Sequence, residues 1–480
     1  MALHHDYQVW PLLARPGTLI SQRVFQQREK LVKKAGDMAH SQVKGAWGWL
    51  PLSVPPALHY PAYRTFWLGL LASVSGYQML RFGQFWLVYQ LTGSPLPLGY
   101  VGLANGIPAI CLNLFGGVFA DRWDQRRLVI VTQSLTAIFI FVLATLTLLD
   151  VVQIWHILVI AFCAGAVESF DQPARQSLYP HLIDRKVMGS AVALNSCLWQ
   201  GARIVMPAVA GCIIAWVGTA MTFYLAGLGF VIMAAVMYRL RVPPITRQAR
   251  GSAAHNIREG LAFIRQNSIF SFLIAMTFFN SFFGMAYITL MPVLAVAILH
   301  VGAKGQGLLM GMGGVGALLT TLWLSSRSQV GSKGWLIIGG GVMSGLSIAA
   351  LGLTSAFVGS FELALVIMFI IGMCNTTYAI SIQSSLQMLV PDHMRGRVMG
   401  FYGMTHNLMP LGGMLTSVLA GLITVPFAIA VGGLAVAAFA IGPAMTNSAV
   451  RNLGALLGQV DIATASGTHR PRPSPVPADS

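Results

Sequence analysis

The sequence predicts an all-α integral membrane protein with twelve transmembrane helices, arranged as two six-helix bundles related by a parallel pseudo-two-fold repeat. Three observations predict it: too little charge for a water-facing coat, a one-sided distribution of Lys and Arg, and an internal repeat. Of 480 residues, 55% are hydrophobic and 9% charged, with a mean hydropathy of +0.69. Soluble domains carry about a quarter of their residues as charge. Lipid in place of water around most of the surface accounts for the deficit.

A helix needs about 20 mostly apolar residues to cross a bilayer. Such stretches fall at 66–91, 97–119, 128–149, 154–174, 190–214 and 218–238, then at 269–298, 304–325, 334–353, 360–380, 398–422 and 424–446. With a cytoplasmic N-terminus, Arg81 and Arg203 fall inside spans and Lys304 in an outward loop. The rest of the 30 Lys and Arg lie on the cytoplasmic side, which is the positive-inside asymmetry. The net charge of +16 is therefore a topology signal, and a nucleic-acid partner is not expected.

Shifting the chain by 211 residues aligns 172–189 with 383–400. Gln172, Gln176, Leu178, Pro180, Val187, Met188 and Gly189 meet Gln383, Gln387, Leu389, Pro391, Val398, Met399 and Gly400. Both stretches join the fourth and fifth spans of their half. Six is an even number of crossings, so the halves share one membrane orientation, and the pseudo-axis runs along the membrane normal. The domains expected are a basic cytoplasmic segment at 1–64, bundles at 65–238 and 269–446, a linker at 239–268 and a disordered cytoplasmic tail at 447–480. In the first segment, Ile20, Val24, Leu31 and Val32 among basic residues fit an amphipathic helix on anionic headgroups or a solvated arm equally well. In the linker, Ile257, Leu261, Phe263 and Ile264 recur at helical spacing, which predicts a short surface helix.

Several chemistries are disfavoured. Cys111, Cys163, Cys197, Cys212 and Cys374 all lie in apolar spans with no C-x-x-C pair, so they read as packing residues. The first fifty residues hold no apolar run of signal-peptide type. Gly311, Gly313 and Gly316 satisfy G-x-G-x-x-G, but no strand precedes them, so a close helix contact is expected rather than a dinucleotide site. The Asn375 sequon lies within a span. There is no P-loop and no H-E-x-x-H, and neither cofactor nor metal is expected.

Between the second and third spans stands Gly116-Gly117-Val118-Phe119-Ala120-Asp121-Arg122-Trp123-Asp124-Gln125-Arg126-Arg127. This resembles the G-x-x-x-D-R-x-G-R-R signature loop of the major facilitator superfamily, with Asp124 and Gln125 as departures. Small residues such as Gly117 allow close helix packing. An acid at Asp121 suits a helix N-terminus, while Arg122, Arg126 and Arg127 suit acids at the inner end of the fourth span. The resemblance implies a cytoplasmic gate of Gly117, Asp121, Arg122, Arg126, Arg127, Asp171 and Arg175. The runs 87–94, 171–176 and 390–398 are similar to the enterobactin-exporter-like branch, which implies siderophore or drug efflux. Met206-Pro207-Ala208-Val209-Ala210-Gly211 resembles the exporters' G-P-x-x-G-G element, which implies a fifth-span bend at Pro207 and Gly211.

Charge inside a membrane is expensive and marks a cavity or a partner. Arg81 in the first span and Arg203 in the fifth are expected to face a substrate cavity together with Gln84, Asn105, Asn195, Asn280, His406 and Asn407. Polar groups in spans also serve helix packing alone, and both uses remain open for the amides. Glu168 is the candidate proton-coupling acid; the competing reading pairs Glu168 and Asp171 with Arg122, Arg126 or Arg175. The function expected is a proton-coupled exporter of a small organic molecule working by alternating access, not an enzyme. A lysophospholipid flippase or an importer of the same fold is the alternative. Protons and membrane lipids are the other partners, and a monomer with both termini cytoplasmic in the inner membrane is the expected state.

Overall fold

The computed structural model describes residues 55–240, 253–326 and 333–446, apart from the side chains of 113–122, 185, 253–257, 325–326, 333, 392–393 and 443–446. The N-terminal segment and the C-terminal tail discussed above lie largely outside them. Every regular element among the described residues is helical. The first half comprises α1 (Pro61–Thr92), α2 (Leu96–Arg122), α3 (Gln125–Leu148), α4 (Ile154–Leu178), α5 (Met188–Val217) and α6 (Thr219–Arg239). A shorter α7 (Ala253–Gln266) leads into α8 (Ser268–Phe279), and α9 (Gly302–Ser326), α10 (Lys333–Phe357) and α11 (Phe361–Leu389) follow. The last helices are α12 (Asp392–His406), α13 (Met409–Leu422) and α14 (Val425–Thr446).

Among the described residues, nine helices are long and apolar enough to cross a membrane. Although it is 32 residues long, α1 is not among them, because Tyr77, Gln78, Arg81 and Gln84 interrupt its apolar windows. Its end is fixed by Gly93, whose φ of 61° places the C-cap in the left-handed region and lets its N–H reach the Tyr89 carbonyl at 2.8 Å. On α3, Val131, Leu135, Ile138 and Val142 recur on one face and are exposed. Such a stripe is at home against acyl chains. Exposed Trp155 and Trp216 stand at one end of the helices, and exposed Trp123, Tyr238 and Trp335 at the other, where aromatic side chains sit at membrane interfaces.

Two stretches expected as single spans are interrupted. The 269–298 stretch is α-helical only to Phe279; π-helical turns follow at Asn280–Gly284 and Leu294–Ile298, around a tighter turn at Ala286–Leu290. Pro292 falls inside this stretch and cannot donate to a helical ladder. The 398–422 stretch divides at Asn407 and Leu408. Pro410 has no N–H to offer the His406 carbonyl, and the chain restarts as α13 with Leu411 and Gly412 both donating to Leu408.

The apolar core has a telling distribution. At the end bearing the 93–95 turn, one cluster runs through both halves, joining Phe82, Leu98, Ile140 and Phe223 to Leu290, Leu294, Ile348 and Ile429. At the end bearing the 123–124 turn, the core is two separate clusters. Tyr63, Phe66, Leu178 and Met233 belong to one, and Leu273, Ile382, Leu386 and Val398 to the other. The halves meet along α2–α13 and α5–α9. Gly106 faces Pro410, and a Cβ at Gly307 would stand 2.6 Å from the Pro207 carbonyl oxygen. Those helices approach backbone to backbone, as small residues permit. Gly313 and Gly316, of the G-x-G-x-x-G match, face Met368 and the Phe369 carbonyl of α11. Helix α7 lies on the second half, with Gly260 against Phe401 and a Glu259–Arg397 ion pair of 2.6 Å.

Candidate functional site

A cavity of about 370 Å³ opens between the halves. Its walls come from α1, α2, α4 and α5 on one side and from the α8 stretch, α9 and the α12–α13 break on the other. Arg81, Asn105, Glu168, Arg203, His406 and Asn407 all line it. Arg81 projects from the middle of α1, its Nη1 donating to the Tyr77 hydroxyl at 3.3 Å one turn earlier. Its guanidinium lies 5.9 Å from the Tyr77 and Phe85 ring centres, so aromatic faces one turn to either side hold it along the helix. Arg203, on α5, is exposed to the cavity; its one described bond runs to the Met285 sulfur at 3.9 Å. At the break, His406 sets its ring against Tyr402, with Nδ1 3.3 Å from the Tyr402 carbonyl.

The remaining expected cavity residues lie elsewhere. Gln84 is buried in α1 with its Nε2 unmatched among the described residues. Asn195 accepts from the Tyr63 hydroxyl at 3.3 Å and ties α5 to the start of α1. Asn280 accepts from Asn375 at 3.3 Å, joining the π turn to α11. Asn195 and Asn280 thus make bonds between helices, the other use that polar groups in spans have. Just before α1, Tyr60 donates to Asp184 at 2.7 Å, and that bond holds its phenol above the ordinary range.

The cavity also contains residues that sequence reasoning passed over: Tyr77, Trp199, Gln78, Gln172 and Gln306. The signal was present for α1. Tyr77, Gln78, Arg81, Phe82 and Phe85 recur at three- and four-residue steps, so one charge facing a cavity puts its helical neighbours there too. Tyr77 and Trp199 meet edge to face at 6.1 Å, forming an aromatic wall across α1 and α5. Gln306 is 2% exposed, and its side-chain oxygen has no partner among the described residues.

Next to the cavity, α4 carries a buried polar network. Asp171 and Arg175 form an ion pair of 2.5 Å, 3% and 8% exposed. Thr132 donates to Asp171 at 2.7 Å, Arg175 reaches Ser73 at 3.4 Å, and Ser73 donates to Gln133 at 2.8 Å. A buried pair needs such additional partners, because Coulomb attraction alone does not repay desolvation. Glu168 borders both this network and the cavity. Among the described residues it makes no direct ion pair.

The loop residues behave differently from the pairing sketched in the sequence. Arg126 donates to the Met237 and Tyr238 carbonyls at 2.8 and 2.5 Å, capping α6. Arg127 lies 3.7 Å from Asp124, in an exposed pair. Asp124 is the N-cap of α3 and accepts from the Arg126 and Arg127 amides at 2.9 and 3.2 Å. The acids of α4 therefore pair with neither Arg126 nor Arg127. The side chains of Gly117, Asp121 and Arg122 fall outside the description. Pro207 and Gly211 sit at the α5–α9 approach, and α5 runs unbroken through them.

Every regular element among the described residues is helical, and a charged cavity lies between two sets of helices, an arrangement suited to membrane transport. The family model for the transmembrane secretion effector matches residues 53–459, and the chain belongs to that family of the major facilitator superfamily. It is similar to the staphyloferrin A transporter of Staphylococcus aureus, 27% identical over 71% of this chain and 85% of that one. The macrolide efflux protein A of Streptococcus pyogenes is 24% identical over 75% and 89%. The enterobactin exporter EntS of Citrobacter koseri is 22% identical over 72% and 81%. Among solved structures, a bacterial homologue of the human lysosomal transporter Spinster, inward-facing and unoccupied, superposes with a TM-score of 0.61 at 12% identity over 86% and 99% of the two chains.

Proposed function

We propose that the protein is a proton-coupled exporter of a small organic molecule that works by alternating access, with the cavity as its substrate site and Glu168 as its proton site. In this reading the chain crosses the inner membrane twelve times with both termini cytoplasmic, and works as a monomer among lipids. Residues 65–238 and 269–446 are the two repeats, joined by the 239–268 linker between a cytoplasmic 1–64 segment and a 447–480 tail. The crossed pairing of α2 with α13 and α5 with α9 supports a parallel repeat: a second span meets a fifth in each direction.

One observation carries the mechanism: the apolar core is continuous between the halves at the 93–95 end and divided at the 123–124 end. Two bundles sealed at one end and separately packed at the other can exchange those roles by rocking about the central cavity. The divided end bears the signature loop, so the arrangement reads as inward-open. There the Gly117, Asp121 and Arg122 segment would close the path, helped by Arg126 and Arg127, while the Asp171–Arg175 network keeps α4 rigid beneath. Glu168 is the one acid bordering both the cavity and that network, which suits a group that takes up a proton in one state and loses it in the other.

The expected result is that Glu168→Gln inserts normally but loses dependence on a pH gradient in proteoliposomes. Gradient-dependent efflux at the native level by this variant would refute the assignment. Accumulation of a fluorescent substrate in cells, with and without a protonophore, decides direction: a protonophore raises accumulation for an exporter and lowers it for an importer.

A further inference from the structure

We infer that the cavity takes an organic anion, its acidic group held between Arg81 and Arg203 and its body laid against the Tyr77–Trp199 wall. This rests on the reading of the cavity as the transport site and narrows its substrate class.

The charge inventory leads there. Two guanidiniums and a single carboxylate line the cavity. Arginine does not deprotonate in proteins, so the wall keeps a net positive charge whether or not Glu168 is protonated. Arg81 bonds a phenol on its own helix and lies within electrostatic reach of Glu168, whereas among the described residues Arg203 bonds only a thioether. With Glu168 offsetting one of the two charges, the surplus cation at membrane depth is costly, and an anion that binds there relieves that cost as well as making its own bonds. A guanidinium grips carboxylate, sulfonate or phosphate through two parallel N–H bonds. The same wall repels a cation.

The rest of the site describes the rest of the molecule. Aromatic faces at Tyr77 and Trp199 suit a ring system. Gln306, buried with an unmatched amide, suits one further polar group on the ligand. The volume is that of a drug-sized compound.

The test uses two dyes of similar size and opposite charge, 5-carboxyfluorescein and rhodamine 123, with lysophosphatidylglycerol as the lipid form of the same anionic chemistry. Binding is measured on the purified full chain and flux in proteoliposomes, so that ligand class and transport are read separately. The expected result is binding of carboxyfluorescein and not rhodamine, weakened about 10- to 100-fold by Arg203→Gln or Arg81→Gln. Arg203→Lys should keep part of the affinity, which separates lost charge from misfolding. Arginine-dependent binding of lysophosphatidylglycerol alone would uphold the anion site and name a lipid headgroup as its source. Rhodamine bound as tightly as carboxyfluorescein, no binding of either anion, or unchanged anion affinity in both glutamine variants would overturn the inference. Arginine-dependent anion binding without flux would uphold it while sinking the transport reading; rhodamine flux without anion binding would do the reverse.

Discussion

The two halves divide the labour unequally. The first half carries Arg81, Glu168 and Arg203 along its helices, with the buried Asp171–Arg175 pair toward the inner end of α4, whereas the charges of the second half, such as Lys304, Glu362, Arg395 and Arg397, lie at or near helix ends. Conversely, the six spans of the first half are each one continuous α-helix, while the π turns at Asn280–Gly284 and Leu294–Ile298 and the break before Pro410 are in the second half. One half holds fixed charge on rigid supports; the other offers amides, methionines and backbone that departs from the α-helix. Chemistry and compliance have been separated, and each can be perturbed without the other.

The strongest way to break the comparison is at the seam. Gly307→Val should force α9 away from Pro207 and abolish transport, with a large drop in unfolding temperature. Retained flux would mean that the seam is not where the halves bear on each other. Next comes the fixed charge. Asp171→Asn should destabilise the protein by about 3–5 kcal/mol, because Arg175 is left buried and unpaired. The double variant with Arg175→Gln should recover much of that loss. Equal loss in both would show that the pair is not a unit. On the compliant side, Pro410→Ala restores a donor at the α12–α13 break and should slow transport while leaving substrate affinity unchanged; a changed affinity with normal rate would place the break in binding instead. The smallest effect belongs to Asn375→Ala, which removes the bond to Asn280. It should lower stability by about 0.6–2 kcal/mol and leave transport intact.

Much of this was legible in the sequence, because a helix in lipid announces itself by its apolar length. The stretch at 128–149 is Gln125–Leu148 in the structure, and 190–214 is Met188–Val217. Hydropathy marks where the apolar run ends rather than where the helix ends, so α4 continues past 174 to Leu178 and α11 past 380 to Leu389. The irregular backbone was hidden for the same reason: a π turn among Phe and Leu leaves no trace in composition, and only Pro292 and Pro410 hinted at it. In the site, charge was the readable signal and direction was not. Arg81, Glu168 and Arg203 reach the cavity, but Asn195 and Asn280, chosen as polar residues in spans, turn to Tyr63 and Asn375. In a helix buried on several sides, a single sequence does not say which face an amide takes. Asp124 was read as a departure from a family pattern; its own role as the cap of α3 could have been read from its position ahead of a helix.

The two arginines have a further consequence, independent of what the protein carries. A path that opens to each side of a membrane in turn risks short-circuiting the ion gradients that power the cell. A sodium ion entering this cavity faces Arg81 and Arg203, with Glu168 the single carboxylate among the lining residues. Fixed positive charge in a narrow, poorly screened passage is an electrostatic barrier to small cations. On the proposed reading, the residues that invite cargo would also insulate the membrane, a safeguard of the resting potential as well as a docking point.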